Sequence, residues 1–73
     1  MAVQNFNFKG LACPQPVLKL QLAAMKIPAG DTVNVEADCS TFKDDITAWC
    51  SKTGKILVYC NKEGNVWKAQ VQF

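Results

Sequence analysis

Apolar and polar positions along the chain follow two periods, one of two residues and one of three to four. Val3-Gln4-Asn5-Phe6-Asn7-Phe8 places Phe6 and Phe8 on one side, which predicts a strand over 3–8. Gly10 and the prolines at 14 and 16 interrupt that pattern. Leu18, Leu22 and Met25 then recur at helical spacing, flanked by Val17, Leu20 and Ala24, and predict an amphipathic helix with a wide apolar face. Pro28 and Gly30 end it. Thr32-Val33-Asn34-Val35-Glu36-Ala37 alternates again and reads as a second strand. Asp38-Cys39-Ser40-Thr41 is rich in helix-capping residues. Phe42, Ile46, Trp49 and Cys50 mark the inner face of a second helix, with Gly54 just past its end. Lys55 to Cys60 reads as a third strand, with Cys60 in phase with Ile56 and Val58. Lys62-Glu63-Gly64-Asn65 reads as a hairpin turn. Val66 to Phe73 forms a fourth strand, with Trp67, Ala69, Val71 and Phe73 on one face. The expected fold is an α+β two-layer sandwich, β-α-β-α-β-β, with two helices on one face of a four-stranded mixed sheet.

Length narrows this picture. At 73 residues the chain is expected to be one domain, 1–73, burying about 60% of the surface its unfolded form exposes. Such a core has little room for an enclosed cofactor, so any chemistry belongs at an exposed edge. No apolar run approaches the roughly 20 residues of a membrane span, and Met1-Ala2-Val3-Gln4-Asn5 shows no charged segment followed by an apolar one, so a secretory signal is not expected. A cytoplasmic protein is the expectation. The net charge is +2, carried by eight scattered lysines and no arginine. Without the bidentate arginine fork, direct nucleic-acid binding is not expected. Histidine is absent, which excludes Cys-His and Ser-His catalytic pairs.

Four cysteines, at 13, 39, 50 and 60, form no close pair. No Cys-x-x-Cys occurs, so no metal site is expected, and nothing indicates the oxidising compartment in which disulfides persist. Each cysteine is therefore weighed alone. Cys50 continues the Phe42-Ile46-Trp49 stripe and reads as core, as do Trp49 and Trp67, while Cys60 reads as core or strand end. Cys39 follows the second strand. In a parallel pair, two strands leading into helices deliver those helix starts to one edge of the sheet. Cys39 either approaches Cys13 there, as an accessory thiol, or tucks under the second helix.

Cys13 stands in Gly10-Leu11-Ala12-Cys13-Pro14-Gln15-Pro16. Proline is tolerated in a helix only near its start, so the helix begins at Pro14 or Pro16. The residue before a proline favours extended geometry, which puts Cys13 just outside the helix. A thiol at a helix N-terminus is shifted toward the thiolate, the nucleophilic form. The prolines remove some of the amides responsible. Gln15 is neutral, so no carboxylate beside the thiol in the sequence opposes ionisation, and Lys9 is a candidate source of positive potential.

These residues resemble the Gly-Leu-x-Cys-Pro-x-Pro signature of the TusA/SirA-like sulfur-carrier family. Pro28-Ala29-Gly30-Asp31, Ala37-Asp38, Asp45-Ile46 and Trp49-Cys50 extend the resemblance over nearly the whole chain. It implies a sulfurtransferase in which Cys13 carries sulfur as a covalent persulfide with no other cofactor, supported by Gly10, Leu11, Pro14, Gln15 and Pro16. It also implies two protein partners: a donor, such as a cysteine desulfurase or a thiosulfate-handling protein, and a downstream acceptor. Asn7 and Gln21 depart from residues common in the family. Asp38-Cys39, where many members have Asp-Pro, is similar to the YeeD/TsuB-like branch that acts beside a membrane thiosulfate transporter. That likeness implies thiosulfate-derived sulfur and recruitment to the inner face of a membrane. Two alternatives stay open: a non-catalytic regulatory adaptor, and a dithiol redox protein using Cys13 and Cys39.

Overall fold

The computed structural model describes residues 2–73. Six elements follow in order: β1 (Val3–Asn7), α1 (Gln15–Ala24), β2 (Thr32–Ala37), α2 (Phe42–Thr53), β3 (Ile56–Glu63) and β4 (Val66–Gln72). The strands form one sheet in the order β1-β2-β4-β3. β1 and β2 are parallel, while β4 runs antiparallel to β2 and β3. The mixed sheet and two helices are the architecture the residue pattern predicts.

The core lies between the helices and one sheet face. Val33, Val35 and Ala37 of β2 are buried, with Ala69 and Val71 of β4 beside them. Phe42, Ile46, Trp49 and Cys50 of α2 cover them, as the helical stripe predicts. Gly54 ends α2 at φ 77°, a left-handed conformation that a Cβ would strain. Asp44 and Asp45 in the first turn and Lys52 in the last complement the helix dipole. Thr41 is the N-cap residue but makes no capping bond through its side chain; its hydroxyl donates instead to Asp45 Oδ2 at 3.1 Å.

α1 corrects the expectation in its phase. Leu18, Leu22 and Met25 are exposed, at 53%, 68% and 83%. The buried residues are Pro16, Val17 and Leu20, with Ile27 beyond the helix end. Both sets recur at helical spacing, so periodicity alone cannot choose between them. Pro16 is fully buried against the core and fixes the rotation of the helix. An apolar ridge is left facing outward. The helix start also differs: Pro14 is the N-cap residue and Gln15 the first helical residue, with Pro16 in the first turn.

Two further differences concern β3. It continues through Lys62 and Glu63, so the hairpin turn shrinks to Gly64-Asn65. A register shift between Leu57 and Tyr59 reverses the alternation. Cys60 therefore points inward opposite Ala69, while Ile56 and Val58, once in phase with it, are exposed. Trp67 is half-buried at the core margin, with the Lys62 ammonium 5.5 Å from its ring centroid.

Candidate functional site

Parallel pairing of β1 with β2 brings the two strand-to-helix loops to one edge. Phe8 extends the pairing beyond β1 by donating its N–H to the Glu36 carbonyl at 2.8 Å. Gly10, at φ 90°, then turns its N–H onto the Asp38 carboxylate, with Oδ1 at 3.0 Å. This bond staples the loop before α1 to the loop before α2, and Cys13 and Cys39 lie three and one residues further along. The two cysteines are joined by a disulfide, with Cα atoms 5.5 Å apart across a sequence separation of 26. Of the two positions considered for Cys39, the structure adopts the one beside Cys13. Both residues are half-buried, so neither is sealed from solvent.

Asp45 is the residue that sequence reasoning missed. Its carboxylate reaches the disulfide from the first turn of α2, and its oxygen and the two sulfurs lie within 4.8 Å of one another. The expectation that no carboxylate opposes ionisation of Cys13 holds for the sequence neighbours only. Residue 45 is remote in sequence, and only the approach of α2 makes it a neighbour. The one available signal is an acidic residue four positions after a predicted helix cap.

The remaining motif residues shape the loop. Gln15 N–H donates to the Ala12 carbonyl at 2.8 Å, and the prolines at 14 and 16 have no N–H to offer. The first turn of α1 therefore retains few free amides to stabilise an anion. Leu11 N–H donates to the Phe8 carbonyl at 3.3 Å and closes the turn after β1. Lys9 is exposed in that turn, its backbone N–H bonded to Asn7 Oδ1 at 3.0 Å. A groove of about 240 Å³ opens between the helices beside the sulfurs, with Pro14 and Asp45 at its wall and Leu18, Trp49 and Lys52 further along. Trp49 Nε1 is buried without a hydrogen-bond partner.

Cys50 and Cys60 are free thiols in the core. Burial pushes both up from the ordinary thiol range, which keeps them protonated and unreactive at neutral pH.

A family profile described as "Sulfurtransferase TusA" matches residues 5–72. "Putative sulfur carrier protein YrkI" of Bacillus subtilis is 34% identical over 64 residues, which is 88% of this chain and 85% of that protein. A protein of the same description from Neisseria meningitidis is 29% identical over 72 residues, covering 99% of this chain and 97% of its own length. "Putative sulfur carrier protein TsuB" of Escherichia coli is 23% identical over 73 residues, with 99% and 97% covered.

Proposed function

The chain belongs to the TusA sulfurtransferase family, and on that premise we propose that Cys13 carries one sulfur atom as a persulfide between a donor and an acceptor protein. The observation that carries this reading is the place of Cys13. It is half-exposed, at the mouth of α1, on an edge where two loops are stapled together. A carrier must present its sulfur to two partners in turn, and an edge residue meets that need. The groove that begins at Pro14 supplies apolar surface near it, and the exposed ridge of Leu18, Leu22 and Met25 runs on from there along α1.

In the reduced chain, the Cys13 thiolate attacks the outer sulfur of a donor persulfide and the donor leaves as a thiolate. With thiosulfate as donor, the same attack on the sulfane sulfur gives Cys13-S-S⁻ and expels sulfite. Both reactions conserve charge and require no further oxidant. An acceptor thiolate then attacks the terminal sulfur and restores the Cys13 thiolate. A chain of this kind works in the cytoplasm, where thiols stay reduced, and a membrane transporter that delivers thiosulfate is a fitting partner.

A second reading follows from the disulfide. Once Cys13 bears a persulfide, the Cys39 thiolate is placed to attack the inner sulfur, forming the Cys13–Cys39 disulfide and releasing hydrosulfide. A dithiol reductant then returns both thiols. Cys39 would thus limit the lifetime of undelivered sulfur.

The test offers the reduced protein radiolabelled sulfur from a cysteine desulfurase or from outer-labelled thiosulfate. Label should remain on wild type and on Cys39→Ser, be released by excess thiol, and be absent from Cys13→Ser. Faster loss of label as sulfide from wild type than from Cys39→Ser supports the second reading. Equal labelling of Cys13→Ser and wild type removes the carrier role.

A further inference from the structure

We propose that, once the disulfide is reduced, Cys13, Cys39 and Asp45 form a three-ligand site for a thiophilic divalent cation of the zinc class. The inference concerns the dithiol pair and its carboxylate, and does not depend on sulfur transfer.

Each residue offers one ligand atom, and the three atoms lie within 4.8 Å of one another. A tetrahedral zinc with bonds of about 2.3 Å to sulfur and about 2.1 Å to oxygen places its ligands about 3.6–3.8 Å apart. Reduction must separate the bonded sulfurs to a similar distance, since two thiols cannot approach much closer without clashing. The opened pair thus relaxes toward the spacing an ion requires. A Cα separation of 5.5 Å holds both side chains on the same small volume.

The donor set also selects the ion. Two thiolates and one carboxylate favour zinc-like ions over magnesium or calcium, which prefer all-oxygen sites. The Thr41 hydroxyl already bonds Asp45 Oδ2 and orients the carboxylate, as outer partners of metal ligands do. With three protein ligands the fourth position is open to water. The three anionic ligands and the dication carry a net charge of −1, and the Asp45 ligand sits in the first turn of α2, where a negative charge is favoured. No local spacing marks such a site. The ligands are not arranged as Cys-x-x-Cys, and they converge only because two parallel loops meet.

The consequence is a three-way exclusion. A metal, a disulfide and a persulfide on Cys13 all use the same sulfur, so the ion would protect the dithiol from oxidation and block sulfur loading.

The test titrates the full chain, reduced with a thiol-free phosphine and kept without oxygen, with cobalt(II) as the probe. Wild type should bind one equivalent and develop thiolate-to-cobalt charge-transfer absorption with tetrahedral ligand-field bands. Zinc should displace the cobalt. The disulfide form should show neither signal. Cys39→Ser should weaken binding by about 100-fold, and Asp45→Asn by about 10-fold or more. A Cys50→Ala/Cys60→Ala double variant, checked for fold by circular dichroism, should keep the spectrum. Absence of thiolate charge transfer in reduced wild type overturns the proposal. So does an Asp45→Asn titration equal to wild type, or loss of the spectrum in a folded Cys50→Ala/Cys60→Ala protein. Because the radiolabel experiment requires no metal, either result can fail without the other.

Discussion

Reducing the Cys13–Cys39 disulfide should cost this small domain a large part of its stability. The bond closes a loop across a sequence separation of 26. The chain-entropy relation for a loop of that length gives about 12 cal/mol/K, or about 3.5 kcal/mol at 25 °C. For a domain of 60–100 residues each kcal/mol moves the melting temperature by roughly 4–8 °C, so reduction should lower it by roughly 14–28 °C. Thermodynamic linkage gives the converse. The folded state favours disulfide formation by the same free energy, which corresponds to several hundred-fold in the thiol–disulfide equilibrium. The assay is urea unfolding of the oxidised and reduced protein, followed by circular dichroism, with Cys39→Ser as a control that cannot close the loop. Cys39→Ser should match reduced wild type within about 0.5 kcal/mol, since the substitution is at a half-buried surface position. A difference of less than about 1 kcal/mol between oxidised and reduced protein would exclude a loop-closure contribution of this size. It would mean either that the two sulfurs are not adjacent in the folded chain or that the unfolded chain already holds them close.

Leu20→Ala should destabilise by about 2–5 kcal/mol, because Leu20 is fully buried, while Leu22→Ala, at a residue 68% exposed, should stay within about 0.5 kcal/mol. Equal effects in urea melts would restore the rotation of α1 that the periodicity suggested. Asp38→Ala removes the acceptor for Gly10 N–H and should weaken the disulfide by about two- to ten-fold in equilibrium with glutathione, the equivalent of one hydrogen bond; an unchanged equilibrium would show that the staple does not position the loops. Asp31 is buried, and hydrogen bonds from the Ala2 N–H and then the Gln4 amide hold its carboxyl below the usual carboxylate range. A lowered folded pKa contributes stability above the unfolded value of about 3.9 that is lost as pH falls through the folded one. Acid titration of stability should therefore be shallower in Asp31→Asn than in wild type, and identical slopes would contradict the assignment.

How much of this was legible beforehand depended on whether the signal was local. The order of elements followed from alternation, helical spacing and glycine or proline punctuation, all of which act within a few residues. The inner face of α2 was equally plain, because Phe42, Ile46, Trp49 and Cys50 define a single stripe. The rotation of α1 was not. That helix is apolar on nearly every side, and only the buried Pro16 settles which ridge faces the sheet. The bulge in β3 was likewise hidden, since an irregular register leaves no mark on a six-residue alternation. At the site, Cys13 was visible through its proline neighbours, and Cys39 was visible as one of two placements. Asp45 and the Gly10–Asp38 staple were not visible, because they depend on the meeting of two loops distant in sequence.

Whether Cys13 is the sulfur-bearing nucleophile is decided by the mass of the reduced protein after exposure to a sulfane donor. The mass should rise by one sulfur atom, located by peptide mapping on the segment that contains Cys13, sensitive to reductant and missing from Cys13→Ser. A reduced, folded wild type that gains no sulfur from a persulfide donor or from thiosulfate, or that gains it on Cys50 or Cys60, would strip Cys13 of that role.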